Sequence, residues 1–113
     1  MIKFFLQLLL CWVVLADKPL YVVDGDTFDV QLQVWHNLSI KERVRVLGID
    51  TPELKGASRD KALEAKAFTQ KWLAQGPFSL ETCQRDVFGR ILAKVSRGSS
   101  VLAEELRSAG HVK

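Results

Sequence analysis

Three short stretches of the sequence concentrate residue types that can act on a phosphate ester. "VVDGDT" carries Asp26 just after a kinked turn, "VRVLGIDTPE" holds Arg45, Asp50, Thr51 and Glu53, and "DVFGR" ends in Arg90. Asp26 and Asp50 offer hard anionic oxygens from two different strands, a set that suits Ca²⁺ or Mg²⁺ and not zinc. An open, partly water-filled site tolerates the flexible shell of Ca²⁺ better than the strict octahedron of Mg²⁺. Three acids are few for a two-metal centre, so one ion with water completing its shell is expected. An EF-hand is excluded, because Phe28 and Asp29 stand where that loop needs a ligand and a glycine. Two arginines supply planar, two-pronged donors for the charge that builds on phosphoryl oxygens during in-line attack. Taken alone, "VRVLGIDTPE" reads slightly better as a solvated strand end with incidental charges. The acids of "DGDT" and the arginine of "FGR" shift that balance.

These residues lie far apart in the chain, so a folded scaffold must gather them. "KPLYVVDGDTFDVQLQVW" gives two strand-like runs around Asp24-Gly25, a dipeptide that favours a tight turn. In the second run Phe28, Val30, Leu32 and Val34 alternate with Asp29, Gln31, Gln33 and Trp35, which predicts one buried face. "HNLS" turns the chain into the strand "IKERVRVLGI"; its Asn37-Leu38-Ser39 is a lone glycosylation sequon and weak evidence of anything. Arg45 and Asp50, five apart, would face opposite sides of a regular strand. A bulge at Gly48 is expected to return them to one side, with Thr51-Pro52 ending the strand. From Arg59 to Gln75 the period becomes helical: Ala65, Phe68 and Trp72 form a stripe supported by Leu73, with Ser58 or Asp60 as cap and Gly76-Pro77 as stop. "FSLETC" and "RILAKVS" read as two more strands, and Ser100 as the cap of a last short helix ending at Gly110. The expected core is Phe28, Val30, Leu32, Val46, Phe68, Trp72, Leu80, Ile91 and Leu106. Five short strands ordered as three strands, helix, two strands, helix suit a small, partly open barrel of the OB type better than a sandwich.

Length and composition set the remaining bounds. The chain has 113 residues and a formal charge of +3. That allows one domain with one modest core, and it permits a polyanionic partner without demanding one. Residues 1–16, "MIKFFLQLLLCWVVLA", show the three parts of a secretory signal peptide, with Ala16 as the expected cleavage point. The apolar run is short against the ~20 residues of a spanning helix. An uncleaved anchor and a first core element are the alternatives. Cleavage would leave a domain over 17–113 whose single cysteine, Cys83, could form no internal disulfide. With only His36 and His111 and no His/Cys cluster, a zinc site is not expected. The corresponding location is secreted or periplasmic, without stable membrane association after cleavage, and as a monomer.

In this order and at compatible spacing, "DGDT", "RVLGIDTPE", the "EAKAFT" helix and "FGR" resemble the staphylococcal-nuclease-like, or thermonuclease, domains. The resemblance runs from about Tyr21 to Val112. It implies an α+β fold, a five-stranded OB-type β-barrel with packed helices. It also implies Ca²⁺-dependent, sugar-nonspecific hydrolysis of DNA and RNA phosphodiester bonds, leaving 3′-phosphates. By the same resemblance Asp26 and Asp50 are metal ligands, with the Thr51 main-chain carbonyl beside them. Glu53 is the general base or orients the attacking water, Arg45 bridges the phosphate, and Arg90 acts near the leaving oxygen. Phe88 stands where the prototype has a tyrosine, keeping a stacking ring without its hydroxyl. The Leu54–Ser58 loop is shorter, with fewer lysines. The family continues past the point corresponding to Lys113, so its C-terminal helix is expected to be missing. The rival readings are a non-catalytic nucleic-acid- or protein-binding OB module and a truncated, inactive nuclease. Asp26, Arg45, Asp50, Glu53 and Arg90 all being present favours catalysis.

Overall fold

The computed structural model describes residues 11–17 and 19–113. Most of the expected leader, residues 1–10, lies outside the described residues. Its last part forms strand β1 (Trp12–Ala16), with Ala16 packed in the core. The chain continues through β2 (Pro19–Asp24), β3 (Thr27–Trp35), β4 (Leu38–Val46), a 3₁₀ turn (Gly56–Ser58) and helix α1 (Arg59–Leu73). After them come β5 (Phe78–Arg85), β6 (Ile91–Arg97), the two-residue β7 (Ser100–Val101) and helix α2 (Leu102–Ser108). From β2 onward the expected order of three strands, helix, two strands, helix is present, with β7 inserted before α2.

The sheet is mixed and seven-stranded, in the order β1-β5-β6-β4-β3-β2, with β7 against β6. Only β4 and β6 run parallel; the other pairs are antiparallel. Among the described residues the sheet has seven strands and does not close, where five strands in a partly open barrel were expected. One additional strand comes from residues assigned to the leader, the other from the two residues before α2. The ends of the hydrogen-bonded path, β1 and β2, are consecutive in the chain, and β1 also packs against β3.

Cys11 and Cys83 are joined by a disulfide. A disulfide-free domain was expected on the premise that Cys11 leaves with the leader. In this chain the β1–β5 register pairs Trp12 with Thr82, and one further step sets Cys11 opposite Cys83. The bond closes a sequence separation of 72 residues, the kind of long loop whose closure most restricts the unfolded chain.

The core draws on every layer: Phe28 and Val30 from β3, Val44 and Val46 from β4, Leu80 from β5, Ile91 from β6, Trp72 and Leu73 from α1, Leu102 and Leu106 from α2. All nine expected core residues belong to it, Phe68 at its margin. The β3 alternation fails at its far end, where Val34 and Trp35 are exposed together with Leu38 and Ile40 of β4. The cause is topological, because β6 pairs with β4 only from Val44 to Val46 and leaves the rest of the hairpin uncovered on that side. Asp29 departs in the other direction. It is buried beneath Arg43, whose Nε and Nη2 donate to its two carboxylate oxygens at 2.7 and 3.1 Å.

Neither helix start is capped as expected. Ser58 precedes α1 but donates instead to the Glu53 and Lys55 carbonyls. Ser100 belongs to β7, accepts from the Trp72 indole N–H at 3.0 Å, and leaves Val101 at the α2 cap position. Helix α1 docks on the β2–β3 turn through small residues. Thr69 Oγ1 donates to the Gly25 carbonyl at 2.7 Å. A Cβ on Gly25 would stand 2.8 Å from Ala65 Cβ and 2.9 Å from Thr51 Cγ2.

Two outcomes follow. Gly25→Ala must push α1 or Thr51 off the turn, an overpacking that typically costs about 1–3 kcal/mol. A thermal melt should then show Tm lowered by roughly 5–20 °C; an unchanged Tm would mean the helix is not held against the turn. The second concerns pH. Hydrogen bonds from Arg43 hold the Asp29 carboxyl below its ordinary 3.8 against the upward push of burial. A folded pKa below the unfolded one gives stability that is present above about 3.8 and lost as pH falls through the folded value. Asp29→Asn should therefore lower Tm at pH 7 and flatten the fall of Tm below pH 4. Parallel Tm–pH curves for the two proteins would contradict the pairing.

Candidate functional site

The site is assembled around Arg45. Strand β4 ends at Val46, and Leu47-Gly48 form a turn in which Gly48 has φ +86°, a left-handed conformation that favours glycine. The expected bulge is thus a turn beyond the strand end, and Arg45 and Asp50 meet by a different route. The turn brings the chain back so that Arg45 Nη1 donates to the Val46 and Ile49 carbonyls at 3.0 and 2.8 Å. Its Nη2 donates to Asp50 Oδ1 at 2.7 Å, and Nη1 lies 3.3 Å from Asp26 Oδ2. One guanidinium therefore joins both expected metal-ligand carboxylates.

Asp26 is held from several sides. Its backbone carbonyl accepts from Val46 N–H at 2.8 Å. Its Oδ2 accepts from the Thr51 N–H at 3.0 Å and its Oδ1 from the Thr27 hydroxyl at 2.9 Å. Burial pushes this carboxyl upward, but hydrogen bonding with Asp24, the Thr51 N–H and the Arg45 charge together hold it below the ordinary carboxylate range. Asp24 was not among the expected site residues. Its Oδ1 accepts from the Asp26 N–H at 3.1 Å. Burial first, then the neighbouring Asp26, pushes its carboxyl up to about 6. Its sequence signal was the Asp-Gly-Asp triplet, whose first acid lies one turn from the second.

Asp50 and Glu53 are more open, with side chains 63% and 60% exposed. Lys113, also not foreseen, stands between them, its Nζ 3.9 Å from Asp50 Oδ2 and 3.8 Å from Glu53 Oε1. Its backbone N–H donates to the Asp50 carbonyl at 2.8 Å. Arg90 is positioned by Asp86, which accepts from its Nε at 2.6 Å and from the backbone N–H groups of Phe88 and Arg90. The terminal nitrogens of Arg90 make no hydrogen bond among the described residues, and its guanidinium lies 5.4 Å from the ring centre of Phe88.

Among the described residues no three His, Cys, Asp or Glu side chains gather closely enough to hold a metal. What is present is an oxygen-only pair, Asp26 and Asp50, joined by Arg45, with the Thr51 N–H donating to Asp26. The Thr51 hydroxyl is buried and has no hydrogen-bond partner. Two carboxylates are hard oxygen donors of the kind that Ca²⁺ or Mg²⁺ takes, with water completing the shell.

The staphylococcal nuclease homologue family model matches residues 43–112. The chain belongs to that family. No curated protein sequence matches it. The staphylococcal nuclease match includes Arg45, Asp50, Thr51, Glu53 and Arg90 and leaves out Asp26, which the Arg45 contact ties to them. Membership points to a nuclease or a nucleic-acid-binding module. No helix among the described residues is long and apolar enough to cross a membrane.

The burial of these pairs ranks their energetic weight. Removing one member of a buried ion pair costs about 3–5 kcal/mol, because the other charge stays behind unpaired, whereas exposed pairs are worth about 0–1 kcal/mol. Arg45→Met, which strands the buried Asp26, is expected to lower stability by about 3 kcal/mol. Arg45→Lys should recover little of it, since an ammonium cannot reach two carbonyls and two carboxylates at once. Lys113→Gln should change stability by less than about 1 kcal/mol. Denaturant unfolding measures all three, and a harmless Arg45→Met would remove Arg45 from the centre of the site.

Proposed function

We propose that this chain is an exported, Ca²⁺-dependent, sugar-nonspecific nuclease that hydrolyses DNA and RNA phosphodiester bonds and leaves 3′-phosphates. The observation that carries the reading is the single guanidinium of Arg45 set between Asp26 and Asp50, with Glu53 three residues after Asp50. Asp26 and Asp50 would hold the ion, with the Thr51 main-chain carbonyl beside them. When bound, Ca²⁺ supplies positive charge against the phosphoryl oxygens of the substrate.

The remaining chemistry belongs to the chain itself. Glu53 is exposed enough to meet a water and, as the general base, takes its proton as the oxygen attacks phosphorus. Arg45 keeps its two carbonyl contacts through Nη1 and redirects Nη2 from Asp50 to the phosphate, where it holds the developing charge. Arg90, its Nε already fixed by Asp86, offers its terminal nitrogens to the phosphoryl group near the leaving oxygen. The P–O5′ bond breaks, and the 5′ oxygen takes its proton from solvent. Contacts directed at the backbone carry little base preference. In the same reading, the strands from β2 onward form the partly open barrel of an OB-type fold.

Export rests on the leader-like character of residues 1–16. A cut after Ala16 would remove β1 and Cys11 together. The intact mass of exported protein separates the two cases: a chain beginning at Asp17 carries a free Cys83, and one that keeps Cys11 carries the bond.

One observation favours a binding module without catalysis, namely that Arg45 already neutralises both acids. A zymogram with DNA in the gel, run with Ca²⁺ and with chelator, decides between them. Clearing only with Ca²⁺ is expected, and full activity after chelation would end the proposed mechanism. Glu53→Gln and Arg90→Ala should each lower kcat by roughly 10²–10³-fold, the scale of losing one preorganised charge stabiliser. Asp50→Ala should abolish Ca²⁺ binding by calorimetry, and activity with it.

A further inference from the structure

Tyr21 has a large ring on β2 that is 58% exposed. The sheet register gives it neighbours. Tyr21 pairs with Asp29, and Asp29 pairs with Arg43, so the three stand in one row on one face of the sheet. From α1, Lys66 places its Nζ 5.5 Å from the centre of the Tyr21 ring. Arg43 grips Asp29 through Nε and Nη2, and Lys41 approaches the same carboxylate at 3.9 Å. Around this ring Lys41, Arg43 and Lys66 outnumber Asp29 and Asp24, whose charge also reaches Arg43, an excess of positive charge beside an exposed aromatic.

The row continues toward the site. Parallel pairing of β4 with β6 sets Val44 beside Ile91 and Arg45 beside Leu92. Arg43 and Arg90 are the residues immediately before the first pair of that ladder. Beyond Arg90 lies Phe88, 79% exposed, with the Arg90 guanidinium against its ring. Each end of the row therefore carries an exposed aromatic with a cation on it. At about 4.8 Å per strand the row from Tyr21 to Arg90 spans roughly 14 Å. Arg45 lies two residues along β4 from Arg43, on the same face.

We infer that Tyr21, Lys66 and Arg43 form a second subsite that holds single-stranded nucleic acid beside the acid site, one base stacked on Tyr21 and phosphates on the two cations. The subsite rests on the nucleic-acid reading given above and names where the strand extends. Single strands fit because stacking on an isolated ring needs an unpaired base face, and sequence-tolerant binding combines such rings with a positive track. Cation–π contact alone leaves the Tyr21 face away from Lys66 open to a base.

The test is fluorescence anisotropy of a short labelled oligothymidylate, in chelator so that nothing is cleaved. Tyr21→Ala should weaken binding about tenfold, the scale of one lost base stack, while Tyr21→Phe binds as the wild type. Lys66→Gln should lessen the slope of log K against log salt by about one. Binding of thymidine 3′,5′-bisphosphate with Ca²⁺, too short to reach the ring, should be unchanged in Tyr21→Ala. Tyr21→Ala and Lys66→Gln binding the oligomer as tightly as wild type would overturn the subsite, whether or not DNA is hydrolysed. Tyr21-dependent binding with no hydrolysis keeps the subsite and removes the nuclease. A wild-type chain that binds no oligomer removes both.

Discussion

A single guanidinium, that of Arg45, donates to three oxygen acceptors and lies against a fourth, and the geometry around it follows from that demand. The Val46 and Ile49 carbonyls fix the turn after β4, while Asp26 and Asp50 bring in the β2–β3 turn and the segment before Thr51-Pro52. Arginine alone suits the task, because its planar fork carries donors in several fixed directions and stays charged at any relevant pH. Asp26 in turn is held below the ordinary carboxylate range, against the upward push of burial, by hydrogen bonding with Asp24 and the Thr51 N–H together with the Arg45 charge. A buried lone carboxylate would cost several kcal/mol. Arg45 and Asp26 thus make each other's burial tolerable.

The helix layer enforces this arrangement from behind. Helix α1 presses small side chains, Ala65 and Thr69, onto the Gly25 turn, and the near-contact of Gly25 with Thr51 carries that pressure to the segment holding Asp50. At its far end α1 is anchored by Trp72, which packs in the core, donates to Ser100 and lies beneath the Arg97 guanidinium. The apolar core therefore positions the polar site through a few short, stiff contacts. A glycine where a methyl would collide is as much a part of the site as the carboxylates are.

Much of this was readable from residue types, and the failures have physical causes. The α1 stripe and the core residues were legible because burial follows helical and strand periods. The meeting of Arg45 with Asp50 was anticipated, but by a bulge; a positive-φ glycine serves a turn as well as a bulge, and spacing does not separate the two. The pairing of Cys11 with Cys83 was illegible because "CWVVLA" has the apolar character of both a leader and a buried strand. Cross-strand register, which decides the pairing, is not written locally. Asp24 and Lys113 were overlooked for a related reason. Their roles depend on neighbours brought close only by folding, 113 from the last residues and 24 from the tight return of a two-residue turn. The caps failed because Ser58 and Ser100 found other partners, carbonyls in one case and an indole N–H in the other.

The distribution of charge shows how a site built from clustered acids can fold before any cation arrives. Asp24, pushed up to about 6, keeps a proton into mildly acidic solution, and that relieves part of its repulsion with Asp26. Arg45 offsets Asp26 and Asp50 from the inside, and Lys113 approaches Asp50 and Glu53 from the open side. These counter-charges are not equivalent. Arg45 is largely buried and bound to main-chain carbonyls that no ligand can replace, so its backbone contacts persist even if its carboxylates change partners. Lys113 is half exposed and holds its two acids only at about 3.9 and 3.8 Å, a distance at which it is readily displaced. Arg90 differs from both, because Asp86 fixes its Nε and leaves its terminal donors uncommitted. The fold therefore supplies one cation that is built in, one that yields easily, and one already aimed with its donors free.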